Sequence, residues 1–174
     1  MRTKLPTVFV LPLLAMVFLG PATRATEATS PPDRSQYGDP AEYELRDRPV
    51  TVDDVRILVR TSELLAHESA WNRSDDRQCQ DDEASGRRSL FCALQAASVE
   101  VLGHYDHRRV ALQEVRFAIQ EATRGREFEH RLMEFNNLPE TSLADVQAVL
   151  KIARERVEAR LAAAGSVPGN HPLR

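Results

Sequence analysis

The chain has 174 residues, of which 42% are hydrophobic, 28% charged and 6% aromatic, and its formal net charge is −3 at pH 7. This balance is typical of one globular domain, and it excludes a collagen-like polymer, a low-complexity chain and a multi-pass membrane protein. A mildly acidic chain also lacks the general attraction to phosphate backbones that nucleic-acid binders use. We therefore expect no nucleic-acid partner.

The first 25 residues have the layout of a secretory signal peptide. A short basic start precedes the apolar run LPTVFVLPLLAMVFLG at residues 5–20, and small residues at 23 and 25 fit cleavage after Ala25. A transmembrane anchor is the alternative, but this run is shorter than the roughly 20 residues that span a bilayer. We predict a signal peptide over 1–25, an exported protein (periplasmic or extracellular) and no stable membrane insertion after cleavage.

Breaker-rich segments flank a central domain. Residues 26–50 contain four prolines among polar side chains and predict a flexible lead-in, and residues 166–174 predict a flexible C-terminal tail. Between them, residues 51–165 show apolar residues at helical spacing and no convincing strand pattern. The sequence predicts an all-α, compact single-domain bundle of four to five helices.

The first two helices carry recognisable ends. Thr51 and Asp54 resemble a capping box, and the helix that follows should end near residues 67–70. Ser89 is placed to cap a second helix, and Gly103 is placed to end it.

Periodicity predicts three further elements. A third helix is expected over about residues 108–124 and a short one over 127–135. Ser142 and Asp145 form a second capping-box pattern, which predicts the start of the last and most regular helix.

The chain has two cysteines, Cys79 and Cys92. An even number of cysteines in an exported protein favours a disulfide, which here would tie the polar loop after the first helix to the first turn of the second. Closing a loop of this length stabilises a fold by about 3 kcal/mol. The alternative is two free thiols, with Cys92 as a small core residue.

Three short segments resemble a domain-of-unknown-function family of small helical bacterial proteins. They are Trp71 after the first helix, FCALQAA at 91–97, which matches a C-x-x-x-A-A helix, and FNNLPETSLADV at 135–146. The last segment resembles an aromatic-Asn-Asp turn before a T-x-x-D/E-V helix start, with Asn137 in place of the Asp and Ser142 at the position of the Thr. The resemblance implies an all-α fold and brings no activity with it.

The turn in the last segment has two interpretations. In the structural one, Asn136 or Asn137 ends a helix in the left-handed conformation, the following proline holds Leu138 extended, and Thr141 or the next serine caps the last helix. In the functional one, Asn136, Asn137 and Thr141 form a recognition turn that offers hydrogen bonds to a partner.

Two other groups of polar residues are candidate sites. His104, Asp106 and His107 are candidate metal ligands, although zinc needs three or four ligands and a solvated turn is the alternative. The remaining group is rich in arginine, and its members are expected to form salt links rather than an anion site: Arg108, Arg109, Arg116, Arg124, Arg126 and Arg131.

No catalytic signature is present, since the sequence has no G-x-S-x-G, H-E-x-x-H, phosphate loop or dinucleotide fingerprint. Two hypotheses remain. The first is a non-catalytic exported binding protein whose partner is an unknown protein or envelope component. The second is a metal-binding protein or hydrolase-type enzyme that uses the region around His104, Asp106 and His107. We favour the first and expect no cofactor.

Overall fold

The computed structural model describes residues 46, 48–124 and 126–165, so the predicted signal peptide, most of the lead-in and the C-terminal tail lie outside the described residues. No strand occurs in the described part, and the all-α prediction is confirmed. Its helices are α1 (Val52–Leu64), α2 (Gln80–Ser85), α3 (Leu90–Leu102), α4 (Val110–Ala122), α5 (Arg131–Asn137) and α6 (Leu143–Gly165). The helix that periodicity missed is α2, a short element inside the polar loop.

The predicted starts of α1 and α3 and the predicted end of α3 are confirmed, whereas α1 ends at Leu64, earlier than the expected 67–70, where a separate 3₁₀ turn (Glu68–Ala70) lies. The carboxylate of Asp54 accepts the backbone N–H of Thr51 at 2.8 Å. The hydroxyl of Ser89 accepts the backbone N–H of Cys92 at 3.2 Å. Gly103 ends α3 with φ of 79°, which costs a residue without Cβ little.

The core lies where α1 and α4 pack on the long α6, while α3 packs on α1. Leucine, isoleucine and valine fill it, and buried alanines on α3, α4 and α6 leave room for close helix approach. Trp71, from the loop after α1, is only 1% exposed and belongs to the same core cluster. None of the described helices combines the length and apolar character that crossing a membrane requires.

The residues just before α1 are bound to the domain. Arg46 forms an ion pair with the buried Glu114 at 3.1 Å, and Arg48 pairs with Asp106 at 2.9 Å. Arg160 also reaches Glu114, and its second Nη donates to the Arg48 carbonyl oxygen at 3.0 Å. The predicted flexible lead-in over 26–50 therefore includes a last part that is held in place by partners distant in sequence.

Two further predictions can be compared with the structure. Cys79 and Cys92 lie at disulfide distance, with their Cα atoms 5.4 Å apart, so the predicted pair is confirmed. The short helix lies later than expected, at Arg131–Asn137 instead of 127–135. Its start follows His130, whose backbone N–H is accepted by the Glu134 carboxylate at 2.6 Å.

Candidate functional site

A buried hydrogen-bond network joins the loop after α1 to the end of α5. The Oδ1 atom of Asn136 accepts from the Trp71 indole N–H at 2.8 Å and from the Leu90 backbone N–H at 3.0 Å. Its Nδ2 donates to the Asn72 carbonyl oxygen at 2.9 Å and to Asn137 Oδ1 at 3.1 Å. An amide side chain offers two donor and two acceptor positions, so Asn136 uses its full capacity inside the protein.

Asn137 extends this network to the next part of the loop. Its Oδ1 accepts the Asp75 backbone N–H at 2.8 Å, and its Nδ2 donates to the Asp75 carbonyl oxygen at 2.8 Å. The side chain thus makes the pair of hydrogen bonds to the Asp75 backbone that a neighbouring β-strand would make. We call Trp71, Asn72, Asp75, Asn136 and Asn137 the amide staple.

A single arginine fixes the turn that follows α5. Arg73 Nη2 donates to the carbonyl oxygens of Pro139 at 2.9 Å and Thr141 at 2.8 Å. Its guanidinium carbon lies 5.2 Å from the centre of the Trp71 ring, within the range of a cation–π contact. The turn before α6 is therefore held by the same loop that carries the amide staple.

The predicted recognition residues are largely internal. Asn136 and Thr141 are 0% and 4% exposed, and Asn137 alone of the three is exposed. Neither asparagine has a positive φ, so the expected left-handed helix stop is wrong. The helix ends because Leu138 is extended, with ψ of 133°, before Pro139.

An open groove lies beside this turn, with a volume of about 450 Å³. This volume is within the roughly 300–1,000 Å³ that is usual for ligand sites. It is bounded by the end of α4, by α5 with the turn after it, and by the first half of α6. The lining residues are Ala122, Thr123, Arg124, Arg126, Phe135, Leu138, Glu140, Thr141, Asp145, Ala148, Val149 and Ile152. We call this depression the α4–α6 groove.

Charged side chains line the mouth of the groove. Arg126 and Glu140 form an ion pair at 2.7 Å. The backbone N–H of Glu140 and the Arg126 guanidinium lower the pKa of the Glu140 carboxyl, which keeps this pair charged. Among the described residues, Arg124 has no ion pair.

Two of the candidate metal ligands, His104 and Asp106, make contacts with other protein groups. His104 Nδ1 lies 3.2 Å from the Leu102 carbonyl oxygen, and Asp106 pairs with Arg48. No group of three or more His, Cys, Asp or Glu residues that could hold a metal ion occurs in the part of the chain that the structure describes.

The charges around His107 also disfavour a cation. Burial and the charges of Arg116, Arg108 and Arg48 lower the pKa of His107, against the opposing effect of Asp106. A metal ion at this imidazole would face the same arginines. No observation in the structure therefore favours a metal at these residues.

The main connections of the site were not visible in the sequence. Trp71 and Asn136 are 65 positions apart, and no sequence spacing connects them. The signals available were a lone tryptophan after a helix and an Asn pair after a buried aromatic residue.

The fold and this geometry define a small helical domain built around a buried indole–amide network, with an open apolar groove beside it. The chain belongs to a family of unknown function, DUF6197, whose model matches residues 49–156. The matched range contains the amide staple, the cysteine pair and every residue of the α4–α6 groove. No curated protein and no solved structure matches the chain.

Proposed function

We propose that the protein is a non-catalytic exported binding protein whose α4–α6 groove holds a short apolar segment of a protein partner. The observation that carries the proposal is the groove itself, an open apolar depression with a few charged groups at its mouth, which is the usual form of a binding site. Binding of this kind needs no cofactor.

The walls of the groove are fixed before a partner arrives. Arg73 holds the turn from Pro139 to Thr141 by its carbonyl oxygens, and the amide staple holds the last turn of α5. Preorganised walls reduce the entropy that is lost on binding. This supports recognition of a defined segment over nonspecific adhesion.

Charge at the mouth indicates one feature of the segment. Arg126 and Glu140 neutralise one another, whereas Arg124 adds a cation with no described carboxylate partner. An acidic side chain next to the apolar part of the segment would pair with Arg124. We therefore propose a segment with two or more apolar residues flanked by Asp or Glu.

The proposed binding of a peptide segment in the α4–α6 groove can be tested by panning a phage-displayed peptide library on the full chain. The selected peptides are then titrated against wild type, Ala148→Trp and Ala159→Trp. Both alanines are exposed on α6, but only Ala148 lines the groove.

We expect Ala148→Trp to weaken binding by about tenfold or more, because the indole fills the groove, and Ala159→Trp to leave it unchanged. We also expect Arg124→Gln to weaken the binding of peptides with an acidic flank more than the binding of peptides without one. Selected peptides that bind Ala148→Trp as tightly as wild type would refute the proposal.

Export is the second part of the proposal. The apolar run at 5–20 after a basic start supports it, and a paired Cys79 and Cys92 fits an oxidising compartment. The intact mass of protein recovered from outside the cytoplasm should correspond to a chain that begins at residue 26. A mass that retains residues 1–25 would contradict cleavage after Ala25.

A further inference from the structure

The chain just before α1 runs along α4 from its start toward its end. Arg109, the residue before α4, donates a hydrogen bond to the hydroxyl of Thr51. Earlier in the chain, Arg46 pairs with Glu114 at 3.1 Å, and its guanidinium carbon lies 4.0 Å from the centre of the Phe117 ring. Followed backwards from residue 51 to residue 46, the chain thus moves along α4 from position 109 to position 117.

The packing of α4 against α6 continues in the same direction to the α4–α6 groove. Arg160 pairs with Glu114, and further along the two helices Arg156 pairs with Glu121. Beyond these ion pairs the groove begins, where Ile152 of α6 and the end of α4 both line it. The contacts of the chain before α1 therefore advance toward the groove.

The residues that precede Arg46 match the segment proposed for the groove. Residues 41–45, which lie outside the described residues, have the sequence AEYEL, so that Ala41, Tyr43 and Leu45 alternate with two glutamates. In an extended segment, side chains at every second position lie on one face. Residues 41–45 can therefore turn an apolar face to the groove while both carboxylates remain at its rim.

The groove is within reach of this segment. Phe117 and Ala122, where α4 ends, are separated by about 8 Å of helix. The extended residues 41–45, directly before Arg46, span about 17 Å. Arg124, which has no ion pair among the residues that the structure describes, lines the groove and is available to a carboxylate of the segment.

We propose that residues 41–45 occupy the α4–α6 groove of their own chain and that a partner segment binds by displacing them. The side chains of Tyr43 and Leu45 contact the apolar lining, and the ion pair of Arg46 with Glu114 sets the position of the segment. A tethered segment competes at an effective concentration of the order of millimolar, so weak contacts are sufficient. Only the displacement rests on the proposed function, because occupation of the groove needs no partner.

Ile152 gives a direct readout of occupation. It is half-buried and lines the groove, whereas the other isoleucines of the chain, Ile57 and Ile119, are fully buried in the core. The isoleucine methyl groups of the full chain are isotope-labelled, and their NMR resonances are recorded. We expect a nuclear Overhauser effect between the Ile152 methyl group and the Tyr43 ring.

The double variant Tyr43→Ser, Leu45→Ser removes the large apolar side chains of the segment, and Tyr37→Ser is the matched control elsewhere in the lead-in. These positions precede the family range 49–156, so the domain keeps its fold. We expect the double variant to shift the Ile152 resonance and to leave the two core isoleucines in place, and Tyr37→Ser to shift none of them. Peptides selected for the groove should bind the double variant about tenfold more tightly than wild type, as expected if the groove is open in about a tenth of wild-type molecules.

An Ile152 resonance at the same position in wild type and the double variant would overturn the proposal, and peptides that still select the groove would then leave the proposed function intact. A shifted Ile152 resonance with no peptide selected by either protein would support occupation and count against a partner segment. Dilution distinguishes the chain's own segment from that of a second copy. We expect the Ile152 resonance to stay unchanged on dilution, whereas a shift toward its position in the double variant would overturn the contact within one chain.

Discussion

At the scale of single residues, two neighbouring asparagines perform unequal tasks. Asn136 is fully buried and bonds to three backbone groups and side chains besides Asn137. Asn137 is exposed and its bonds to the backbone are to Asp75 alone. The loss in free energy of unfolding when the amide is changed to a carboxylate should therefore differ greatly between Asn136 and Asn137.

We predict that Asn136→Asp lowers the free energy of unfolding by about 3 kcal/mol and Asn137→Asp by less than about 1 kcal/mol. At position 136 the new oxygen would face the Asn72 carbonyl oxygen and Asn137 Oδ1 in a buried place, whereas at 137 it would face only the Asp75 carbonyl oxygen and water. Urea unfolding of the two variants measures both values. Similar losses for both would show that burial does not set the cost.

A second residue-scale prediction concerns His107. Burial and three nearby arginines lower its pKa from the ordinary 6.5, so the folded state favours the neutral imidazole. The stability from this preference is fully present above the ordinary value and is lost as pH falls below it. We expect the decrease in Tm from about pH 7.5 to about pH 5.5 to be smaller in His107→Gln than in wild type.

The titration of Asp106 does not overlap with the pH range of this prediction. Burial opposes its ionisation, but the Arg108 backbone N–H and the Arg48 guanidinium outweigh burial and lower the pKa of the Asp106 carboxyl below 3.8. Its protonation therefore falls at more acidic pH. An identical decrease in Tm in His107→Gln and wild type would contradict the prediction.

At the scale of helices, the start of α6 is a reciprocal cap. The Ser142 backbone N–H donates to Asp145 Oδ2 at 2.9 Å, and the Asp145 backbone N–H donates to Ser142 Oγ at 3.2 Å. The hydroxyl and the backbone N–H of Ser142 lower the pKa of the Asp145 carboxyl. The cap thus depends on both side chains together.

We predict that Ser142→Ala lowers the free energy of unfolding by about 1 kcal/mol. Asp145→Asn should cost a similar amount, and the double variant should cost less than the sum of the two, because each change removes the same interaction. A double-mutant cycle by urea unfolding measures this coupling. Additive losses would indicate that the two side chains act separately.

Short-range patterns predicted most of the helix ends, because a helix cap depends on residues within about four positions of one another. The Thr51–Asp54 and Ser142–Asp145 boxes and the Ser89 cap are all in the structure. The same patterns could not show that Asp54 is fully buried and paired with Arg109 at 2.9 Å, since the partners are 55 positions apart.

At the scale of the whole molecule, residues 71–88 are attached to the domain by a covalent and a noncovalent link. The cysteine pair holds the loop to the first turn of α3, and the amide staple holds it to the end of α5. We predict that the double variant Cys79→Ser, Cys92→Ala loses about 3 kcal/mol of stability, the entropy of closing this loop.

Urea unfolding with and without reductant measures this loss. Reductant should destabilise wild type by a similar amount and leave the double variant unchanged, which controls for other effects of the reductant. A double variant as stable as oxidised wild type would show that the amide staple alone is sufficient.

The candidate sites were less predictable than the fold. The groove is formed by α4, α5 and α6. In the sequence, its apolar lining residues cannot be distinguished from residues of the buried core, because both recur at helical spacing. Of the arginines expected to form salt links, Arg109 and Arg126 pair with Asp54 and Glu140, and Arg116 and Arg131 also donate to backbone carbonyl oxygens. Such contacts depend on how the chain returns on itself, which local spacing does not encode.

Trp71 has a practical consequence, because it is the only tryptophan in the chain. Its ring is buried and its N–H is bonded to Asn136, so its emission senses water only when the loop separates from α5. Red-shifted fluorescence with unchanged helical circular dichroism would then mark a molecule whose loop has opened while its core stays folded. The protein thus carries a label-free optical probe of loop opening.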